Sequence, residues 1–178
     1  MHQAILEFWF EELKPANWWE KSPRLDDTIR QRFGELHRRA AGGELWHWRG
    51  SAEGRLAEII ILDQFSRNLY RDRPEAFAQD GMALVLAQEA ISLGLDEELP
   101  VVQRAFLYMP FMHSESLAIH DRAVKLFDVP GMESSLDYEH RHRDIILRFG
   151  RYPHRNAILG RAATEEEQQF LRQPGSSF

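Results

Sequence analysis

The apolar residues of this 178-residue chain recur at α-helical spacing along nearly its whole length. In the first run, Ile5, Leu6, Trp9, Phe10 and Leu13 follow one another at alternating intervals of one and three residues, which places them on one face of a helix. Alternation with a period of two, the mark of a half-buried β-strand, is found at no useful length. The sequence therefore predicts an all-α fold.

Capping signals divide this pattern into segments. Ser22-Pro23 offers an N-cap followed by a proline at the first helical position, and Ser51 can cap the next helix. Thr164 with Glu167 fits a capping box that starts a last short helix over 165–172. We expect about seven to nine helices in a single domain over 1–178, with a disordered tail over 173–178.

Pro110 stands at the end of the apolar run 101–109. The proline ring removes a backbone donor and crowds the preceding turn, so we expect the helix to kink or end there. The triplet His113-Ser114-Glu115 would then begin the following helix, where Ser114 can cap and backbone N–H groups can face an anion. Capping alone would explain Ser114 equally well.

Composition and charge narrow the possible partners. The chain has 28 acidic and 22 basic side chains, and its net charge of -6 opposes the electrostatic attraction on which nucleic-acid binding depends. It has no cysteine, which excludes disulfides, thiolate nucleophiles and cysteine-ligated zinc. The apolar N-terminus lacks the basic region of a secretory signal, and no uncharged stretch reaches the roughly 20 residues that span a bilayer. We expect a cytoplasmic protein with neither nucleic acid nor a membrane as its partner.

Three segments together resemble a known family. They are LDQFSRNLYR at 62–71, FLYMPFMHSE at 106–115, and the stretch 142–161 with FGRYPHRN at its centre. They are similar to the signature of the domain-of-unknown-function family number nine hundred and twenty-four, which is mostly bacterial. One departure is Ser66, where that signature has proline. The resemblance implies antiparallel helical hairpins of the tetratricopeptide-repeat type, and it implies no established activity.

Asp63 is the most informative polar residue. It follows Ile59 by four residues and Ile60 by three, so a helix places it on the buried face, where a carboxylate needs a partner. Arg67, one turn later, is the nearest candidate, and Asn68 or Arg71 could add donors. Asp63 is then either half of a structural ion pair or an acid on the wall of a pocket.

The loop at 151–156 is the best ligand-binding candidate in the chain. It concentrates Arg151, His154, Arg155 and Asn156 around a rigid proline, and guanidinium groups suit carboxylate or phosphate. The alternative is that its arginines satisfy the last carbonyls of a helix over 136–149 and pair with surplus acids. With Arg67 and Asn68, these residues form our predicted ligand-binding set.

His142 and His120 each lie on an apolar helical face, where a hydrogen-bonded core histidine is the commoner situation and an acid–base or metal role the alternative. No His-Glu-x-x-His or other metal motif is present, although His113 and Glu115 could join His142 or His154 in space. No glycine-rich phosphate loop or serine-hydrolase elbow is present either. We therefore predict no metal site and leave the cofactor open.

These observations support two main hypotheses. The first is a binding module for an anionic small molecule or peptide, and the second is an enzyme acting on an anionic small-molecule substrate. The candidate catalytic residues are Asp63, His113, Glu115 and His142. The enzyme hypothesis predicts that the polar candidates converge on one cavity, which requires Asp63 and Arg155 to lie on the same side of the fold. A third hypothesis, a purely structural subunit, predicts a large exposed apolar face. The oligomeric state is left open.

Overall fold

A computed structural model describes residues 2–177, and that part of the chain contains helices and no β-strand. The α-helices are α1 (His2–Glu7), α2 (Pro23–Ala41), α3 (Ala52–Ile60), α4 (Ser66–Leu69), α5 (Asp80–Ser92), α6 (Val101–Met112), α7 (Leu117–Phe127), α8 (Glu133–Phe149) and α9 (Glu165–Phe170). The π-helical turn Ile61–Phe65 joins α3 to α4 without a break. Counted over the described residues, the fold has eight separate helices, which confirms the predicted all-α class and helix number.

Helix α3 lies at the centre of the core. Eight of its nine residues are buried, and it packs against α1, α5 and α6. A helix surrounded on this scale is expected to be apolar on most of its circumference. Its buried Glu58 is an exception, and Arg49 neutralises this carboxylate through two hydrogen bonds of 2.7 and 2.8 Å. The buried charge of Glu58 is thus tolerated because Arg49 pairs with it.

Consecutive helices pack on one another in the second half of the chain. Contacts join α5 to α6, α6 to α7, and α7 to α8. Beyond the main core, Ile145, Ile146 and Tyr152 form a small second apolar cluster where α8 and the following loop meet. This succession suits helical hairpins, and the tetratricopeptide-like repeat stays a prediction.

The helix starts predicted at Ser22, Ser51 and Thr164 are confirmed. The Ser22 hydroxyl accepts a hydrogen bond from the Leu25 N–H at 3.3 Å, and Ser51 accepts one from Gly54 at 3.1 Å. Thr164 and Glu167 make the reciprocal bonds of a capping box at the start of α9. These contacts are local, so the residue types alone identify them.

The expectation that the helix ends at Pro110 was wrong, and a kink there stays a prediction. Helix α6 continues through Pro110 to Met112, because every residue from Ala105 to Met112 is buried and this packing offsets the roughly 3 kcal/mol cost of an internal proline. His113-Ser114-Glu115 therefore follows a helix end instead of opening a helix. Ser114 caps nothing, and its hydroxyl accepts a hydrogen bond from the backbone N–H of Ser116 at 3.2 Å.

Among the described residues, none of the helices is both long enough and apolar enough to cross a membrane. Near the C-terminus, the Ser176 hydroxyl donates to the Leu171 carbonyl at 3.2 Å. Phe178 lies outside the described residues, and disorder of the tail at 173–178 stays a prediction.

Gly54 allows a close approach of two backbone segments, and we predict that Gly54→Ala destabilises the protein. A Cβ at this position would lie 2.0 Å from the Trp48 carbonyl oxygen, which belongs to the backbone and cannot rotate away. We expect the free energy of unfolding to fall by about 1–3 kcal/mol, the range typical of overpacking. Chemical denaturation of both proteins measures the difference.

Gly34→Ala in α2 is the matched control. A Cβ there meets nothing within 4 Å, so the higher helix propensity of alanine should raise stability by up to about 1 kcal/mol. Equal effects of the two substitutions would contradict the close approach at Gly54.

Candidate functional site

Asp63 lies in the π-helical turn that joins α3 to α4. All five residues of this turn, Ile61–Phe65, are buried, and the Asp63 side chain has no exposed surface. Single π turns inside α-helices are frequent at functional sites, because they redirect side chains that a regular helix would place elsewhere. The prediction that Asp63 lies on the buried face is confirmed.

Three neighbours satisfy the Asp63 carboxylate. His113 Nδ1 lies 2.7 Å from Oδ1, and the Gln64 amide donates to Oδ2 at 2.7 Å. Arg67 donates to the Asp63 carbonyl at 2.7 Å and lies 3.5 Å from Oδ1. Burial alone would raise the pKa of Asp63, but His113 and Arg67 outweigh that effect and hold it well below its usual value. Asp63 is therefore ionised at neutral pH and accepts hydrogen bonds only.

The Asp63 carboxylate determines which nitrogen of the His113 ring carries the proton. Burial lowers the pKa of His113, the Arg67 charge lowers it further, and together they outweigh the opposing effect of Asp63. The ring is therefore neutral at pH 7, and Nδ1 must carry the proton that it donates to Asp63. Its other nitrogen, Nε2, makes no hydrogen bond to any residue from 2 to 177. His113 thus keeps a free lone pair on the edge that faces away from Asp63.

Asp80 joins two arginines that are distant in sequence. It opens α5 and accepts two hydrogen bonds from Arg67, at 2.9 and 3.1 Å. Arg155 reaches the same carboxylate from the loop after α8, at 3.5 Å. The prediction that Asp63 and Arg155 lie on the same side of the fold is confirmed, because both also contact His113.

Arg155 is buried, but protein groups satisfy only part of its guanidinium. Its Nη2 donates to the His113 carbonyl at 2.9 Å, and its Nη1 lies 3.5 Å from the Asp80 carboxylate, which is a long contact. Its Nε has no hydrogen-bond partner among the described residues. The rings of Phe77 and Tyr152 cover the group, with centroids 4.5 and 4.7 Å from its central carbon. Burial and the Arg67 charge lower the pKa of Arg155, although an arginine stays protonated in proteins.

These groups border a cleft of about 350 Å³. Its polar lining comprises Asp80, His113, Ser114, Glu115 and Arg155, and its apolar lining comprises Pro74, Phe77, Ala78, Leu84, Pro110 and Leu159, with Gly81 between them. Pro110 near the end of α6 and the triplet His113-Ser114-Glu115 after it all belong to this lining. The cleft combines a partly satisfied cation, a neutral histidine and an apolar wall.

Glu115 lies at the cleft but already has partners. Its two oxygens accept hydrogen bonds of 2.7 and 2.9 Å from Arg161, and Oε1 also accepts the Tyr152 N–H at 2.7 Å. Burial opposes ionisation, but Arg161 and the Tyr152 N–H hold the pKa of Glu115 below its usual value. Asn156 accepts a further hydrogen bond from Arg161 at 2.9 Å. Glu115 and Asn156 therefore hold the loop that carries Arg155.

Arg151 does not line the cleft. It forms a two-pronged ion pair with Glu167 of α9, at 2.7 and 2.8 Å, and also donates to the Ala162 carbonyl. This is the alternative that the sequence left open for the loop arginines. The pair anchors the beginning of the loop to α9, so Arg151 serves the position of Arg155.

Asn68 likewise serves another cluster. It donates to Asp26 of α2 at 2.9 Å, where Arg71 completes the pairing with two hydrogen bonds of 2.7 and 2.8 Å. The expectation that Asn68 or Arg71 would add donors to Asp63 was wrong. Both residues lie at the end of α4 or beyond it, where the chain has turned toward α2.

His154 and His142 lie outside the lining of the cleft. The His154 ring lies near Tyr152, and burial followed by the Arg155 charge lowers its pKa to about 4. His142 bonds through Nδ1 to the Tyr138 carbonyl at 2.7 Å, and burial lowers its pKa to about 3. Neither histidine lines the cleft, so His113 is the predicted acid–base histidine that the structure brings to it.

A buried network supports the loop after α6. His120 Nε2 lies 2.8 Å from the Ser114 carbonyl, which only accepts, so this nitrogen carries a proton. On the other side of the ring, Nδ1 lies 2.6 Å from Glu139, whose pKa is raised by burial. The Tyr152 hydroxyl donates to the Met112 carbonyl at 2.5 Å. These hydrogen bonds thus fix the carbonyls of Met112 and Ser114, the residues before and after His113.

Sequence reasoning missed three members of this site, which are Asp80, Arg161 and Phe77. Helical periodicity extends over 76–93 and does not mark Asp80 as a helix start, whereas α5 begins at Asp80. An acid favours the first turn of a helix, and that signal could have identified the boundary. Its approach to Arg67 and Arg155 depends on packing.

No three His, Asp or Glu side chains within residues 2–177 are grouped so that they could hold a metal ion.

Comparison with known proteins agrees with this architecture. Residues 5–175 match the family described as "Bacterial protein of unknown function (DUF924)". The chain is also similar to the solved structure of the protein of unknown function ATU0120 from Agrobacterium tumefaciens. The two share 40% sequence identity with a TM-score of 0.91, and the match covers 96% of each chain. No curated protein matches the chain.

We predict that Glu167→Gln lowers stability at neutral pH by about 1–3 kcal/mol, the range for hydrogen bonds to a charged group. Hydrogen bonds from Arg151 first, and then from the Thr164 N–H, lower the pKa of Glu167 from 4.5 to about 2, against the opposing effect of burial. A depressed pKa stabilises the fold above the unfolded value, and this contribution is lost as the pH falls toward the folded value. The difference in melting temperature between wild type and variant should therefore shrink from pH 5 to pH 2.

Glu166→Gln is the control for that measurement. Glu166 pairs with Arg148 on the surface, where both side chains are about half exposed, so its replacement should change stability little. A difference that stays constant over the same pH range would contradict the role of the Glu167 charge.

We also predict that His113 is neutral at pH 7 and carries its proton on Nδ1. Long-range ¹H–¹⁵N correlation spectra distinguish this tautomer from the Nε2–H form and from the charged ring, and His113→Gln assigns the signal. Because Asp63 opposes the lowering of the His113 pKa, Asp63→Asn should lower this pKa further. A charged ring, or a proton on Nε2, would contradict the arrangement.

Proposed function

The chain belongs to the DUF924 family of bacterial proteins of unknown function, and we propose that it binds a small anionic molecule in the cleft beside Arg155. One observation carries this proposal. Arg155 is buried at the cleft, yet its Nε has no hydrogen-bond partner within residues 2–177 and its contact with Asp80 is long. Buried charges are normally paired and hydrogen-bonded, so a guanidinium in this state has capacity left for an anion.

The neighbouring arginines differ from Arg155 in this respect. Arg67 binds Asp80 with two hydrogen bonds, Arg161 binds Glu115 with two, and Arg151 binds Glu167 with two. Each of these pairs is a complete fork-to-carboxylate contact, which holds structural elements together. The contrast singles out Arg155 as the arginine available to a ligand.

The size of the cleft favours a small molecule over a peptide. Its volume of about 350 Å³ lies at the lower end of the range of ~300–1,000 Å³ found for small-molecule pockets. A peptide would need an extended groove or an open edge along several residues.

The second candidate function is an enzyme, and the pairing of Asp63 with His113 favours it. A buried carboxylate that holds Nδ1–H leaves Nε2 as a base, and the carboxylate would stabilise the charged ring once it accepts a proton. In this proposal His113 removes a proton from a substrate, or from a water, next to the anionic group bound by Arg155. Asp63 positions the ring.

Other expectations from the sequence stay predictions. They are the cytoplasmic location, the absence of nucleic-acid and membrane partners, and the hypothesis of a structural subunit. None is needed for the proposal about the cleft.

Thermal melting in the presence of small anions tests the proposal. Inorganic phosphate, acetate, succinate and benzoate are the probes, because a molecule that binds only the native state raises its melting temperature by mass action. At least one probe should raise the melting temperature of the wild type by about 2 °C or more, and Arg155→Gln should abolish that shift. Arg155→Lys, which keeps the charge without the planar fork, should retain a smaller shift.

The control variant is Arg148→Gln, which removes a surface arginine of α8 and should leave the shift unchanged. Each variant is compared with its own melting temperature without a probe, so a loss of stability is not mistaken for a loss of binding. A shift that persists in Arg155→Gln, or the absence of a shift with every probe, would refute the proposal.

A further inference from the structure

If the cleft is the anion site proposed above, the charges that line it suit a ligand with a single negative charge. Arg155 supplies a cation, while Asp80 and Glu115 are carboxylates that already have arginine partners. His113 lines the same cleft without a charge at pH 7. A second negative charge on the ligand would approach these two carboxylates with no further unpaired cation in the lining. A second negative charge would therefore lose its hydration without gaining a cation among the lining residues, so the cleft suits a monoanion better than a dianion.

The shape of the Arg155 contact favours a carboxylate. The rings of Phe77 and Tyr152 cover the guanidinium, so its N–H edges are the part left for a ligand. A planar carboxylate can accept two parallel hydrogen bonds from such an edge.

The rest of the lining indicates what the carboxylate is attached to. Six of the lining residues are apolar: Pro74, Phe77, Ala78, Leu84, Pro110 and Leu159. A small hydrated ion would leave this wall in contact with water, whereas a ligand with an apolar body would cover it and gain from doing so. The volume of about 350 Å³ has room for one ring or a short chain.

From these three observations we propose that the ligand is a monocarboxylate with a small apolar body, bound with its carboxylate at Arg155 and its body against the wall formed by Phe77, Pro110 and Leu159. The acid–base pair of Asp63 and His113 then lies beside the bound carboxylate. If the protein is an enzyme, this places the carbons next to the carboxylate nearest to the base.

Isothermal titration with matched probes tests this ligand class. Benzoate, phenylacetate and hexanoate carry an apolar body and one charge, acetate lacks the body, benzamide lacks the charge, and phthalate and inorganic phosphate carry more charge. At least one of the three apolar monocarboxylates should bind about tenfold more tightly than acetate, benzamide, phthalate and phosphate. That binding should be lost in Arg155→Gln.

Leu159→Asn tests the apolar wall. Leu159 is only partly buried and lies outside both core clusters, so its replacement should leave the fold intact. It should weaken the apolar monocarboxylates several-fold and leave acetate unchanged. Leu147→Asn, at an exposed position of α8, is the matched control and should change neither.

The outcomes separate the two proposals. If phosphate or acetate binds as tightly as the three apolar monocarboxylates and Arg155→Gln abolishes this binding, the anion site stands and the ligand class is wrong. The ligand class is also wrong if Leu159→Asn affects all probes equally. If no anion binds in a manner that depends on Arg155, both proposals fail.

Discussion

The buried charge of Asp63 is the constraint on which the arrangement of this site depends. A carboxylate with no exposed surface is tolerable only with cationic or hydrogen-bonding partners, and its partners come from its own helix and from the end of α6. Arg67 also binds Asp80 at the start of α5, and Arg155 reaches both Asp80 and the His113 carbonyl. Satisfying one buried acid thus assembles four separate segments around a cleft.

The same rule separates structural from functional candidates. Arg151, Arg161 and Arg71 each bind a carboxylate through two hydrogen bonds, and each pair joins a loop to a helix or to another loop. In the part of the chain that the structure describes, no carboxylate binds Arg155 in this way, although the loop that carries it is held on both sides by the pairs of Arg151 and Arg161. A rigid loop with one incompletely satisfied arginine is typical of a binding site, since the scaffold has already met the cost of positioning it.

Much of the fold could be predicted because its signals are local. Helical periodicity, the caps at Ser22 and Ser51, and the box at Thr164 each involve residues within four positions of one another. The pairing of Asp63 with Arg67 is also local, and it was predicted. Two expectations with the same local basis were wrong: Pro110 does not end its helix, and Asn68 turns to Asp26. In both cases contacts from other helices outweigh the local preference.

The sequence by itself determined the all-α class, most helix starts and the polar residues worth considering, because these follow from the spacing and chemistry of neighbours in the chain. The tertiary structure decided which of those residues meet. Asp80 and Arg155 are 75 positions apart, and His113 is 50 from Asp63, so no pattern in the sequence relates them. It also decided which of the arginines around the cleft keeps hydrogen-bonding capacity, since that depends on every partner that packing brings within reach.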